Sequence, residues 1–212
     1  MNQPVYEKLH QFTDLGGQMS LPVHQYLLDT NPSVMFATGN HAQAEWILPQ
    51  VKSILGSRPL DYLFISHMEA DECGGIAPFL KKYPHVKVIC SSFTAQEIKG
   101  FGFNADTHIV DEGKTIRMGD LELVFFRYPS EVHLHDGMLV FERNSGVFYS
   151  SDLMFHHILK GEKVIRSEWV KEVESIDSSN IADESRRERL KKDLLSIMPK
   201  FIAAGHGSCS LV

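Results

Sequence analysis

Cysteine, positive charge and long apolar runs are all scarce in this chain of 212 residues. Cys73, Cys90 and Cys209 are widely spaced and odd in number. With no CxxC pair, they point away from a disulfide framework and from a thiolate zinc site, and they suit reduced thiols in a reducing compartment. No stretch approaches the ~20 apolar residues of a membrane span. The opening "MNQPVYEKLHQFTDLGG" has no apolar core of signal-peptide length, so the expectation is a cytoplasmic protein with no membrane partner. Lys and Arg number 21 against 27 Asp and Glu, a formal charge of -6, which argues against nucleic acid as a partner because phosphate binding needs a concentrated positive field. The one long basic stretch, Arg186, Arg187, Arg189, Lys191 and Lys192, alternates with acids and reads as a solvated helix face. What is present is ordinary: 43% hydrophobic and 23% charged residues, a globular composition at a length that suits one domain over residues 1–212.

Apolar runs and turn signals give a coarse order of elements. "LPVHQYLLD" and "SVMFAT", split by "TNPS", predict a hairpin over 21–38. "NHAQAEWILPQVKSIL" predicts a helix with Asn40 as N-cap, Gly56 as stop and Trp46, Ile47, Val51 and Ile54 on its apolar side. Strands follow at "DYLFIS" and "VKVIC", each with a helix after it. From about 108 the pattern turns to strands, including a hairpin around Asn144-Ser145-Gly146. A helix at about 181–197 carries Leu190, Leu194, Leu195 and Met198 on one side, and "KFIAAGHG" closes with a last strand. The order predicts a mixed α/β (α+β) fold, two sheets sandwiched by helices in two related halves.

One strand exit is crowded with metal-seeking groups: "DYLFISHMEADECGG", residues 61–75. His67, Glu69 and Asp71 alternate, so extended backbone would point all three to one face, and Gly74-Gly75 would let backbone approach closely. A polar loop with solvated acids is the bland alternative. Three more candidates stand just past apolar strands: His133 in "YPSEVHLHDGM", Asp152 in "VFYSSD" and His206 in "FIAAGHG". Taken singly, His206 reads equally as a turn residue and Asp152 as a helix N-cap. Together, six ligands on one sheet edge would make a dinuclear site. Three carboxylates with three imidazoles favour iron or manganese, with zinc not excluded by ligand type.

These motifs resemble the metallo-β-lactamase fold, and within it the diiron module of the flavodiiron proteins and the stand-alone oxygen-binding diiron proteins. The resemblance runs from about residue 20 to 207 through "VHQYLL", "MFATG", the H-x-E-x-D of 67–71, "VHLHDGM", "FYSSD" and "GHG". It implies a four-layer αββα sandwich. It implies His67, Glu69 and His133 on one iron, Asp71 and His206 on the other, Asp152 between them, and an oxo or hydroxo bridge. Glu72 stands where the family pattern has a second histidine, so it enters either as an extra ligand or as a residue behind the ligands. The chain ends at Val212 with no flavodoxin-like domain and no FMN loop, so the expectation is a diiron domain without its own flavin.

The first functional reading is O2 binding or sensing, with a signalling partner. The second is the catalytic component of an O2 or NO reductase fed by a separate flavodoxin or rubredoxin, and the third is a metal-dependent hydrolase of a thioester, lactone or phosphodiester. The resemblance also implies a homodimer, and it brings His24 and Tyr26 near the metals as hydrogen-bond donors to bound oxygen. Asp136 is the expected acceptor for a ligand imidazole.

Overall fold

The structure is a computed structural model, and it describes residues 3–14, 22–129, 137–154, 156 and 163–212. Three apolar cores define its layers. In the first sheet β1 (Leu9–Asp14), β2 (Val23–Leu28), β3 (Val34–Phe36), β4 (Tyr62–Phe64), β5 (Lys87–Cys90) and β6 (Asp106–Ile109) lie side by side in chain order. The first three are antiparallel, and β3 to β6 are parallel. The second sheet has the order β11-β13-β12-β10-β9-β8-β7. Its strands are β7 (Thr115–Met118), β8 (Leu121–Arg127), β9 (Met138–Glu142), β10 (Val147–Ser151), β11 (Val164–Arg166), β12 (Phe201–Ala204) and β13 (Cys209–Leu211).

Between the sheets lies a core that includes Tyr26, Phe36, Phe64, Phe125 and Tyr149. A second core packs the outer face of the first sheet, through Leu27, Leu63 and Val88, against α1 (His41–Leu55), α3 (Ile76–Lys82) and α4 (Ser92–Gly100). A third packs Phe126, Leu139 and Phe148 of the other sheet against α5 (Trp169–Glu174) and α6 (Glu184–Leu194). The result is the expected αββα sandwich. Central strands are covered on both faces, which is why they read as unbroken apolar runs rather than alternating ones.

The hairpin β2-β3, the Asn40 capping box of α1 and the β9-β10 hairpin form as the sequence predicts. Several details differ. The sheet starts earlier, at β1, where "LHQFTD" pairs with β2. On α1 the core-facing residues are Ala44, Ile47, Leu48, Val51 and Leu55, while Trp46 is half exposed. The strand β6 belongs to the first sheet, and β13 follows β12 rather than β12 ending the fold. Gly75 makes its close approach to α1, not to the site: a Cβ there would stand 2.4 Å from that of Ala44.

On α6 only Leu190 and Leu194 are buried, because the helix ends at Leu194 and the turn after it carries Leu195 and Met198 outward, Met198 being 87% exposed. Leu194→Ala is therefore expected to lower the unfolding free energy by about 2–5 kcal/mol. Met198→Ala should stay within about 0.5 kcal/mol of the parent. Urea denaturation of the two variants checks both.

Candidate metal centre

The chain leaves β4 through Ile65 and Ser66 and enters a one-turn helix, α2 (Ala70–Cys73). Glu69 precedes that turn in extended conformation (φ -118°, ψ 159°). The extended reading therefore holds at Glu69, while the chain bends at His67 and Met68. Asp71 takes its direction from the helical turn, a correction to the extended reading of all three. From the other sheet, β10 slips register against β12 between Tyr149 and Ser151, and Ser151 takes φ 47°. A left-handed non-glycine residue is costly and persists where its surroundings hold it. Here the bulge turns the next residue, Asp152, out of the sheet. The exit of β12 brings His206.

These exits meet. His67 Nε2 lies 3.5 Å from Asp152 Oδ2 and 3.8 Å from Glu69 Oε2. His206 Nε2 lies 3.4 Å from Asp152 Oδ1 and 3.4 Å from Asp71 Oδ2. One carboxylate thus faces two imidazoles, each with a further carboxylate beside it. Gly205 permits this closeness, since a Cβ there would stand 3.3 Å from Asp152 Oδ1 and 2.9 Å from the Ser151 carbonyl.

The far side of each imidazole is held by protein. His67 Nδ1 lies 3.2 Å from Ser66 Oγ and 3.3 Å from Ser151 Oγ, two contacts the sequence did not signal. His206 Nδ1 lies 3.2 Å from the Pro22 carbonyl, which can only accept, so Nδ1 donates. The neutral His206 ring then presents a bare Nε2 lone pair to carboxylate oxygens, and Nε2 of His67 faces carboxylate oxygens as well.

Such an arrangement requires a cation. His67 Nε2 is buried with no hydrogen-bond partner among the described residues. Burial opposes protonation of His67, yet Glu69, Glu72 and Asp152 outweigh it and push the imidazole up to about 9. His206 is raised in the same way: burial works against it, and Asp152 and Asp71 prevail. The donor spacing fits metal ions better than hydrogen bonds. Atoms each about 2.1 Å from a common ion stand roughly 3.0–3.4 Å apart, close to the separations here. His67, Glu69 and Asp152 offer ligand atoms all within 4.8 Å of one another.

Of the remaining candidates, His133 and Asp136 lie in 130–136, outside the described residues. Glu72 is buried with its carboxylate turned into the core: Oε1 accepts from the Ser66 amide (2.9 Å) and Oε2 from the Tyr149 hydroxyl (2.8 Å). With these bonds Glu72 stands behind the candidate ligands rather than among them, each oxygen facing a donor of the core. Burial raises its carboxyl to about 7, against the opposing effects of His67, Ser66 and Tyr149.

Neither His24 nor Tyr26 offers a donor to a bound ligand, also a correction. The Tyr26 hydroxyl donates to the Ala204 carbonyl at 2.5 Å. His24 Nε2 lies 2.6 Å from the Gly207 carbonyl and Nδ1 2.8 Å from Thr13 Oγ1. Burial lowers His24 to about 4, so the ring is neutral. Cys209, with Sγ 3.1 Å from the Tyr26 hydroxyl, has a thiol pushed up by burial, consistent with an inert residue.

The sequence pattern of the ODP family beta lactamase matches residues 21–207. The chain belongs to that family. Among curated proteins this family member is similar to the anaerobic nitric oxide reductase flavorubredoxin of Salmonella typhi, 22% identical over 136 residues, which is 63% of this chain and 28% of that one. The ODP-family chain therefore spans about a quarter of the length of the curated relatives it matches. Its fold is shared with the flavodiiron protein of Giardia intestinalis (TM-score 0.80, 16% identity, 100% of this chain and 56% of that one). It is shared too with the rubredoxin oxygen:oxidoreductase of Desulfovibrio gigas (TM-score 0.72, 18% identity, 99% and 57%).

Tyr149→Phe tests the buried carboxylate. Because burial raises Glu72 from 4.5 to about 7, its contribution to stability is fully present below the unfolded value and is lost as pH rises through the folded one. Removing the hydroxyl strips a donor from the ionised form. The metal-free variant should lose about 1–3 kcal/mol at pH 8 and less at pH 5, measured by urea denaturation at both.

Proposed function

We propose that this chain is a non-haem diiron protein whose centre binds O2. One observation carries the reading: the two oxygens of Asp152 face two imidazoles whose Nδ1 atoms are tied to protein and whose Nε2 atoms point at carboxylates. His67 and Glu69 would hold one ion and Asp71 and His206 the other, with Asp152 shared. On sequence grounds His133 joins the first set. The carboxylate-rich donor set supports iron or manganese over zinc.

Two ferrous ions held there would supply two electrons to a bound diatomic molecule. The chain's own residues bear on where it would enter. Because Glu72 is bonded to Ser66 and Tyr149, the Asp71–His206 side has fewer described protein donors than the His67–Glu69 side would have with His133. That asymmetry supports an open position for O2 or NO beside Asp71 and His206. Ser66 and Ser151 orient His67, and Pro22 orients His206.

A second reading, reduction of NO or O2 with electrons from a separate redox protein, is supported by the names of the relatives, a nitric oxide reductase and a rubredoxin oxygen:oxidoreductase. Oxygen sensing through a signalling partner, a homodimer and a cytoplasmic location remain parts of the proposal. Among the described residues no helix is long and apolar enough to cross a membrane.

Loading the metal-free protein with ferrous iron under anaerobic conditions, then adding one equivalent of O2, tests both readings. Two irons per chain and a lasting visible absorption band are expected. A band that decays and returns repeatedly with reduced rubredoxin would favour the reductase. Tight zinc with no iron uptake would overturn the diiron proposal.

Metal uptake should also depend on pH. With His67 raised to about 9 in the metal-free protein, an incoming ion displaces its proton. Affinity should thus rise about tenfold per pH unit up to about 9 and level off above it. Metal titrations at several pH values, with the released protons counted, check the slope.

A further inference from the structure

We infer that His24 is a positioning residue for His206, clasping the turn that carries it across from the first sheet to the second. The inference rests on the reading of His206 as a metal ligand. Its geometry stands on both sides of that residue: the His24 amide donates to the Gly205 carbonyl at 2.8 Å, and His24 Nε2 lies 2.6 Å from the Gly207 carbonyl. The neighbours of His206 on either side are therefore held by one residue of β2. Val23 pairs with His206 itself, and the Pro22 carbonyl accepts from its Nδ1.

Chemistry fixes the roles of the His24 ring. A carbonyl oxygen only accepts, so Nε2 carries the hydrogen. Nδ1 is then bare and accepts from the Thr13 hydroxyl at 2.8 Å. Thr13, on β1, thus donates to the nitrogen that the Gly207 carbonyl leaves bare and holds the ring in place. On its other side the backbone bonds of the turn run from Gly205 N to the Ser151 carbonyl and from Ser208 N to the His156 carbonyl. Among the described contacts of residues 205–207, the His24 imidazole is the side-chain donor that reaches the backbone beyond His206. Without it the Gly207 carbonyl would be free to rotate, and the Nε2 direction of His206 with it.

Cobalt(II) titration of the metal-free protein, followed by visible absorption, reads the two positions separately. Wild type should take two cobalt ions. His24→Phe keeps the ring volume and removes the donor, and should weaken one of the two ions about 10- to 100-fold, the usual effect of losing a residue that orients a ligand. The other ion should bind as before. His24→Gln restores an N–H near the Nε2 position and should recover the affinity to within about threefold. Thr13→Val leaves the imidazole but removes the donor that holds its Nδ1, and should weaken the same ion; if His24→Phe fails to fold, this variant and His24→Gln decide.

A purely architectural role would lower the thermal stability of the metal-free protein while leaving both cobalt affinities unchanged, and that result overturns the inference alone. Wild type that takes fewer than two cobalt ions overturns the dinuclear reading first, and the inference with it.

Discussion

The site depends on one carboxylate being asked to face two imidazole nitrogens. Asp152 reaches His67 with one oxygen and His206 with the other, while Glu69 and Asp71 stand on the outer sides. Like charges about 4 Å apart repel by roughly 4 kcal/mol near a protein surface at an effective dielectric constant of about 20. Three carboxylates so placed tolerate one another only with positive charge among them. In the metal-free chain protons supply it, which is why both imidazoles are raised despite burial. Divalent ions supply more charge at the same points and can satisfy lone pairs that a single proton on each ring cannot share among several oxygens.

Meeting that requirement shapes the scaffold. The ligand candidates come from both sheets, so the site closes only where the sheets approach at one edge. Two devices hold that edge. One is the bulge before Asp152, with Ser151 in a left-handed conformation, which aims a carboxylate that a regular strand would have kept in line. The other is the set of bonds from β2 to the end of β12 and the turn after it, Tyr26 to Ala204 and His24 to Gly205 and Gly207. Apolar packing between the sheets, with Tyr149 stacked on Phe36, sets their spacing, and the polar clasp sets where the ligand-bearing turn sits within it.

Much of this was legible in the sequence. Continuous apolar runs identified buried strands, and residues just past them identified the exits where charged groups gather. The capping signal at Asn40 marked a helix start that the structure confirms by side-chain bonds. What stayed hidden depended on tertiary placement. The strand at 9–14 carries a weak local pattern and forms because β2 offers it an edge. The serines behind His67 look like any other serines, since only the meeting of β4 and β10 brings Ser66 and Ser151 to one ring. His24 was visible as a histidine near the site, but its direction was not: both of its nitrogens are engaged within the protein, which pattern alone cannot reveal.

Glu72 shows how local geometry decides a question that residue type leaves open. It follows Asp71 on a single helical turn, where consecutive side chains diverge by about 100°. With Asp71 aimed at His206, the next side chain must turn away, and here it turns into the core, between the Ser66 amide and the Tyr149 hydroxyl. A carboxylate suits that place because it accepts from two donors at once. An imidazole there could accept from only one ring nitrogen and would leave the second donor unpaired. The acid at 72 therefore acts on the centre through its field, favouring positive charge at His67, and through the Ser66 amide it holds the backbone from which His67 projects. The chain thus changes the charge around the candidate site without adding to the donors that surround it.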